Sequence, residues 1–514
     1  MSKTYSRPLW IAGTILSIGA VHTNWNVPLA AWLFPVLLLR YLRLREPKAG
    51  IARVQLALTV SASFWLITTG LIGVPVAVFI FLFLSVLQTV PFALDRLFAR
   101  RLSPLIGTLV FPASRVAAEY LFVLIAGFGS WGTFGGTQHQ NLALIQTASV
   151  TGVYGVSFVV AWFSSMVNWA WDRDFRWPAI WKGVIIYACF LLAVLGAGCV
   201  RLLFFPPTST TVRVAGIGPS RRAERAFNTA VGQAVKRYWN AEEVVGADPV
   251  RVRDAFAYVN DDLIAGTKRE AKAGAKLILW PETQARVLQK DLDALLQRVK
   301  SIALDEDVFV NMAFALYSDD AGIRNVAMLI TPSGDLAWTY DKSHPTPMEP
   351  MKPGPGDVPT AMSPYGRLST VICYDADFPD LMQQAVRKGA DLMMVPADDW
   401  WGFEHLHAEN VVLRAVENGY SIVRQSSHGV STAVDRHGRI IASINYFATD
   451  DPSMVAAIPL QPRIRTFYSR HGDVFAWLCI FGAAVLVTGA IVPLPRRLRR
   501  ALDSGGSHGS EKGV

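Results

Sequence analysis

Three residues of this chain have the types and settings that nucleophilic chemistry needs. Glu282 follows Leu-Ile-Leu-Trp-Pro, Lys342 follows Ala-Trp-Thr-Tyr-Asp, and Cys373 lies within Ser-Thr-Val-Ile-Cys-Tyr-Asp. A free thiol is mostly protonated at neutral pH. A cysteine that attacks a carbonyl therefore needs a base for its proton and a cation for the negative charge that follows. Glu282 is the candidate base. Lys342 is the candidate cation, first beside the thiolate and then beside the tetrahedral oxyanion. The chemistry would be acyl handling through a thioester. A lone cysteine is more often a buried, inert one. Here Cys373 is the only cysteine between residues 207 and 472, because Cys189, Cys199 and Cys479 fall in apolar stretches. It has no neighbour in that region for a disulfide or a metal site.

Each of the three residues stands at the end of a strand-like run, a rigid platform that aims side chains into a shared cleft. Between residues 207 and 472, strand-like and helix-like segments alternate. Strands are expected at 211–215, 276–280, 308–315, 326–331, 336–340, 367–374, 391–395, 421–425, 431–435 and 439–444. Helices are expected at 249–273, 291–304, 378–388 and 405–418. Pro332-Ser333-Gly334-Asp335 reads as a hairpin turn, and His437-Gly438 as another. This pattern predicts an α/β or α+β layered domain with sheets inside and helices outside.

The rest of the chain has a different character. Of 514 residues, 52% are hydrophobic and only 17% charged, and the mean hydropathy is +0.29. That charged share is low for a soluble protein. The apolar residues crowd into eight stretches, near 8–22, 28–42, 54–69, 76–92, 105–126, 150–171, 183–205 and 474–493. Each approaches or reaches the ~20 residues that a helix needs to cross a bilayer. The first is read as a retained helix rather than a signal peptide, because it lacks a clear cleavage site and further spans follow. The expected organisation is a transmembrane domain at 1–206 of about seven helices, a catalytic domain at 207–472, a last transmembrane helix at 473–495 and a tail at 496–514.

Charge orients these helices. Lys and Arg occur before span one (Lys3, Arg7), after span two (Arg40, Arg43, Arg45, Lys48, Arg53), after span four (Arg96, Arg100, Arg101), after span six (Arg173, Arg176, Lys182) and after span eight (Arg496, Arg497, Arg499, Arg500). The alternate loops have none, residues 127–149 included. The positive-inside rule puts both termini and the tail in the cytoplasm and the 207–472 domain outside, the periplasmic face of a bacterial inner membrane. The net charge of +9 is thus a matter of helix flanks, and no nucleic-acid partner is expected. Arg115 and Glu119 lie four apart inside span five, a spacing that lets them neutralise each other. No Gly-rich nucleotide loop or metal motif occurs, so neither cofactor nor metal is expected.

The order Glu282, Lys342, Cys373 with these flanks resembles the nitrilase, or carbon–nitrogen hydrolase, superfamily. The arrangement of spans around it resembles the apolipoprotein N-acyltransferase family in particular. The segment Gln146-Thr-Ala-Ser-Val-Thr-Gly-Val-Tyr-Gly-Val-Ser157 is similar to that family's approach to span six. Trp280-Pro-Glu-Thr283, Tyr340-Asp-Lys342, Cys373-Tyr374, Arg414-Ala-Val-Glu417 and Thr466-Phe-Tyr-Ser-Arg-His-Gly-Asp473 also match. The resemblance implies an α-β-β-α sandwich inserted before the last of about eight helices. It implies Glu282 as general base, Lys342 as oxyanion partner and Cys373 as nucleophile, with Asn325 and Tyr374 at supporting positions. The family has Glu after Cys-Tyr where this chain has Asp375. It has Pro-Phe-Gly-Glu after the lysine, where this chain has Pro347-Met348-Glu349. Glu349 is the candidate for the supporting glutamate.

The implied reaction moves an acyl chain from a phospholipid to the cysteine and then to the free α-amino group of a diacylglyceryl-cysteine lipoprotein. Trp400, Trp401 and Phe403 are expected to line an acyl pocket, to dip into the lipid interface, or to pack the domain core. Two other functions compete: a membrane-tethered amidase acting on a small periplasmic amide, and a transporter whose soluble domain binds solute. Eight spans are excessive for a tether. Scarce intramembrane ions and no internal helix repeat count against a transporter.

Overall fold

A computed structural model of the chain describes residues 6–20, 26–70 and 73–492. All eight apolar stretches contain helices. These are α1 (Ser6–Ile18), α2 (Pro28–Arg43), α3 (Pro47–Thr68), α4 (Val74–Phe98) and α5 (Val110–Ala126), then two single turns, α6 (Leu142–Ile145) and α7 (Ala148–Thr151), and then α8 (Val153–Trp171) and α9 (Trp177–Phe204). The eighth apolar helix, described below, closes the chain. Six of the eight are long and apolar enough to cross a membrane. The first two have 13 and 16 residues, about 20 and 24 Å of helix, less than the ~30 Å hydrocarbon core. Pro47 sets the second limit, since the residue before a proline avoids the helical region. There Glu46 leaves the helix and caps α3 through Ala49 N, 3.1 Å away. The expected tail at 496–514 and Lys3 lie outside the described residues.

The basic helix ends gather at one end of the bundle. Arg40, Arg43 and Arg100 reach Asp172 at 2.8, 3.1 and 3.2 Å, and Arg43 also pairs with Asp95 at 2.9 Å. Within the bundle, Arg115 Nε donates to Glu119 Oε1 at 2.8 Å, as their spacing predicts.

The other end carries the layered domain. Its first part comprises β1 (Thr211–Gly216), α10 (Arg221–Ala234), α11 (Ala241–Gly246), α12 (Pro249–Lys272), β2 (Leu277–Leu279), β3 (Ala285–Leu288), α13 (Leu292–Glu306), β4 (Phe309–Ser318), β5 (Gly322–Ile330) and β6 (Leu336–Asp341). The second comprises β7 (Thr360–Ser363), β8 (Gly366–Thr370), α14 (Pro379–Arg387), β9 (Leu392–Asp398), α15 (Glu404–Asn418), β10 (Ser421–Ser427), β11 (Val430–Val434), β12 (Ile440–Asn445) and β13 (Met454–Pro459). The single turn α16 (Phe467–His471) then leads into α17 (Val474–Ile491), the eighth apolar helix.

One sheet runs β13-β1-β2-β4-β5-β6 with β3 beside β4, and the other runs β12-β11-β10-β9-β8-β7. Val214, Leu279, Leu329 and Trp338 from the first sheet pack on Leu368, Met394 and Val423 from the second. Helices α10, α12 and α13 cover the outer face of the first sheet. Helices α14 and α15 cover the second, and their other side packs on Tyr120, Val153 and Tyr154 of the bundle. The result is an α-β-β-α sandwich lying with one helical layer on a helical membrane domain.

The sequence blocks at 146–157, 414–417 and 466–473 meet at that junction. Glu417 Oε1 accepts from Val153 N at 2.7 Å and so caps α8, while Arg414 holds its other oxygen at 2.9 Å. Gln146 donates to the His437 carbonyl at 2.9 Å. A side chain at Gly152, where φ is +66°, would strike the Tyr468 ring. These blocks dock the two halves of the molecule.

Candidate active site

Cys373 is just past the end of its strand, not within it as the sequence pattern predicts. β8 stops at Thr370, and the chain turns at Cys373 with φ +47° into a 3-10 turn that ends at Asp377. This left-handed backbone costs a non-glycine residue about 1–2 kcal/mol, so the surroundings must hold it. Asp375 does this. Its carboxylate accepts from Ile372 N at 3.3 Å, Ser343 N at 3.2 Å, His344 N at 2.7 Å and the Tyr340 hydroxyl at 2.8 Å. The shorter acid at this position is fully engaged in tying the end of β6 to the cysteine turn.

Glu282 stands beyond β2. Its Oε1 accepts from Lys342 Nζ at 2.7 Å and Asn325 Nδ2 at 2.6 Å, and its Oε2 from Asp398 N at 2.9 Å. Lys342 Nζ also donates to both oxygens of Glu349, at 2.8 and 2.9 Å. Glu349 is steadied by Thr346 N at 2.8 Å. Glu349 therefore reaches Lys342 although its loop differs from the family pattern. The Cys373 Sγ lies 3.6 Å from the Asp398 carbonyl and 3.8 Å from Asp399 Oδ1. Glu282, Lys342 and Cys373 are each 3% exposed or less.

Charge and burial define the resting state. Burial, and then the Glu282 carboxylate, push the Cys373 thiol well above its ordinary range, against the pull of Lys342. Burial works against the Lys342 ammonium, yet Glu282 and Glu349 hold it well above its usual value. Burial raises Glu349, opposed by Lys342. The site thus rests as a charged lysine between two acids, beside a protonated thiol.

Asp399 is a site residue that sequence reasoning missed. It is buried against the thiol, paired with Arg424 at 2.6 Å and bonded by Ser426 Oγ at 2.9 Å. Arg424 is 25 residues away in the chain, and no local pattern marks the pair.

Tyr374 turns away from the thiol toward the bundle. Its hydroxyl donates to the Gly127 carbonyl at 2.8 Å, at the end of α5. Trp131 packs on its ring at 5.3 Å and on His407 at 5.3 Å. Gly129, with φ +57°, comes so close to the Asp377 carbonyl that an added Cβ would sit 2.6 Å from it. The basic-free segment at 127–149 therefore supplies a wall of the site.

That wall borders a cavity of about 350 Å³. Its mouth is formed by Tyr374, Trp400 and Phe403, together with Pro347 and Met348 of the loop before Glu349, and it descends among α3, α4 and α5. The lining is overwhelmingly apolar. Trp400 and Phe403 line it, with ring centroids 5.1 Å apart. Trp401 does not. It is 59% exposed and rests against Phe447 at 5.3 Å, so it belongs to neither the pocket nor the core.

The layered sandwich on an apolar bundle, with an acid, a lysine and a thiol at its heart, defines a membrane-embedded carbon–nitrogen hydrolase. A profile for "Carbon-nitrogen hydrolase" matches residues 246–465, and one for "Apolipoprotein N-acyltransferase N-terminal domain" matches residues 12–166. The apolipoprotein N-acyltransferase of Geobacter metallireducens is 28% identical over 73% of this chain and 73% of its own length. That of Bradyrhizobium diazoefficiens is 27% identical over 84% and 80%. Among solved structures, an amidase from Nesterenkonia sp. is similar over 52% of this chain and 95% of its own, at 18% identity and a TM-score of 0.39. The chain belongs to the apolipoprotein N-acyltransferase family.

Proposed function

We propose that this protein moves an acyl chain from a phospholipid, through a thioester on Cys373, to the N-terminal amine of a diacylglyceryl-cysteine lipoprotein. The observation that carries this reading is the apolar cavity, which runs from beside the cysteine turn down between membrane helices. A small-amide hydrolase has no use for such a space, whereas an acyl chain fits it.

Each residue has a part in two balanced half-reactions. In the first, Glu282 takes the thiol proton as Sγ attacks the ester carbonyl, and the oxyanion forms beside Lys342. Collapse breaks the ester bond, and Glu282 returns the proton to the departing lysophospholipid alkoxide. In the second, the acceptor amine attacks the thioester carbonyl, and Glu282 takes the amine proton. Collapse breaks the C–S bond, leaves an amide, and restores the thiol with that proton. Glu349 and Asn325 keep Lys342 and Glu282 oriented, Asp375 holds the nucleophile turn, and Tyr374 joins that turn to the bundle. Burial of the site keeps water from competing with the amine.

Labelled phospholipid in proteoliposomes tests the reading. Label should pass to a diacylglyceryl peptide with a free N-terminus and not to one whose amine is acetylated. Release to water alone, with the amine ignored, points instead to a hydrolase.

The proposed setting is the bacterial inner membrane with the catalytic domain on the periplasmic side. The clustering of Arg40, Arg43 and Arg100 at the end of the bundle opposite the domain supports it. Reporter fusions at Lys48 and Asp357 should report opposite sides. The same side for both would overturn the topology.

A further inference from the structure

The cavity ends at a layer of polar side chains inside the bundle. On α3, α4 and α5 the deepest residues lining it are Leu58, Gln88 and Arg115. The Arg115 guanidinium donates to Gln88 Oε1 and to Glu119. Alongside, Gln55 Nε2 donates to Ser85 Oγ at 2.6 Å, Thr59 and Ser85 share a hydrogen bond of 2.7 Å, and Thr89 donates to Gln55 Oε1 at 2.7 Å. These groups bond one another across α3, α4 and α5. Below them Phe92 and Phe111 pack at 4.9 Å, both fully buried, so no space continues underneath.

We infer that this polar floor is an acyl-chain ruler: it sets the longest chain the enzyme accepts. The inference rests on the acyl-transfer reading proposed above and names a determinant of donor choice within it. Gln88 is 14 residues into α4, about 21 Å along the helix, deeper than the about 15 Å that is one leaflet's share of the ~30 Å hydrocarbon core, so only a long chain reaches it. A chain that fills the cavity meets its floor with its terminal methyl. Any further methylene must part hydrogen bonds that it cannot replace.

The test plugs the shaft at two depths, away from the reacting residues. Ala62 lies six residues before the end of α3, about 9 Å down, and Leu84 ten residues into α4, about 15 Å down. Ala62→Phe and Leu84→Trp are compared with the unsubstituted chain in vesicles that hold equal palmitoyl and octanoyl phosphatidylethanolamine. Acyl groups on Cys373 are identified by mass. The palmitoyl-to-octanoyl ratio should fall at least about tenfold in Ala62→Phe and less in Leu84→Trp, with octanoyl transfer retained. An unchanged ratio in both variants, or equal loss of both donors in both, overturns the ruler while the transfer reaction stands. Absence of any acyl adduct on the unsubstituted chain is a different failure, that of the acyl-transfer reading itself.

Discussion

Cys373→Ala should form no acyl-enzyme and transfer no acyl chain. Removal of a hydrolase nucleophile lowers turnover on the order of 10⁶-fold, because base and oxyanion partner then have nothing to activate. With phospholipid present and amine withheld, the unsubstituted chain should accumulate a thioester that neutral hydroxylamine cleaves. The diacylglyceryl peptide should discharge it. Cys373→Ser should fail as well, since a hydroxyl is far harder to ionise than a thiol and the Glu282 carboxylate is too weak a base for it. Cys189→Ala, Cys199→Ala and Cys479→Ala serve as controls that should retain activity, for those thiols lie in α9 and α17. An adduct that persists without Cys373 would remove the proposed mechanism and leave the fold.

Glu282→Gln and Lys342→Ala should each cut transfer severely, but with opposite effects on the thiol. Loss of a general base costs about 10²–10⁴-fold, and loss of an oxyanion donor about 10²–10³-fold. Glu282 raises the thiol's pKa and Lys342 lowers it. Alkylation of Cys373 by iodoacetamide should therefore begin at lower pH in Glu282→Gln, so the variant reacts faster with the reagent while it turns over more slowly. In Lys342→Ala it should begin at higher pH, because Glu282 is then left without its cation. Parallel shifts in the two variants would deny these residues their assigned parts.

Much of this was legible from the chain. Apolar runs of membrane length fold as helices because backbone groups in lipid have no other partners. The runs that end at Glu282 and Lys342 fold as strands because short apolar stretches bounded by turns do so. What was illegible depends on pairing over distance. Asp399 gains meaning only from Arg424 across two parallel strands, and Tyr374 only from Gly127, 247 residues earlier. Short pieces such as β3 and β7, of four residues each, carry too few residues for periodicity to speak, and β13, although its burial alternates along six residues, was missed as well. α10 was missed too, although Ser220 caps it by accepting from Ala223 N. The aromatic trio split because adjacent residues point apart, which sends Trp400 into the cavity and Trp401 out beside Phe447.

The hydrogen bond from Tyr374 to Gly127 links the nucleophile turn to the end of a membrane helix. A helix whose apolar length exceeds the thickness of its bilayer tilts, at fractions of a kcal/mol per Å of mismatch, a scale comparable to that one bond. Tilt of α5 displaces the Gly127 carbonyl and pulls on the residue next to the thiol. Bilayer thickness would then act on the turn that carries Cys373, and detergent micelles and thin and thick bilayers should give different turnover from the same polypeptide.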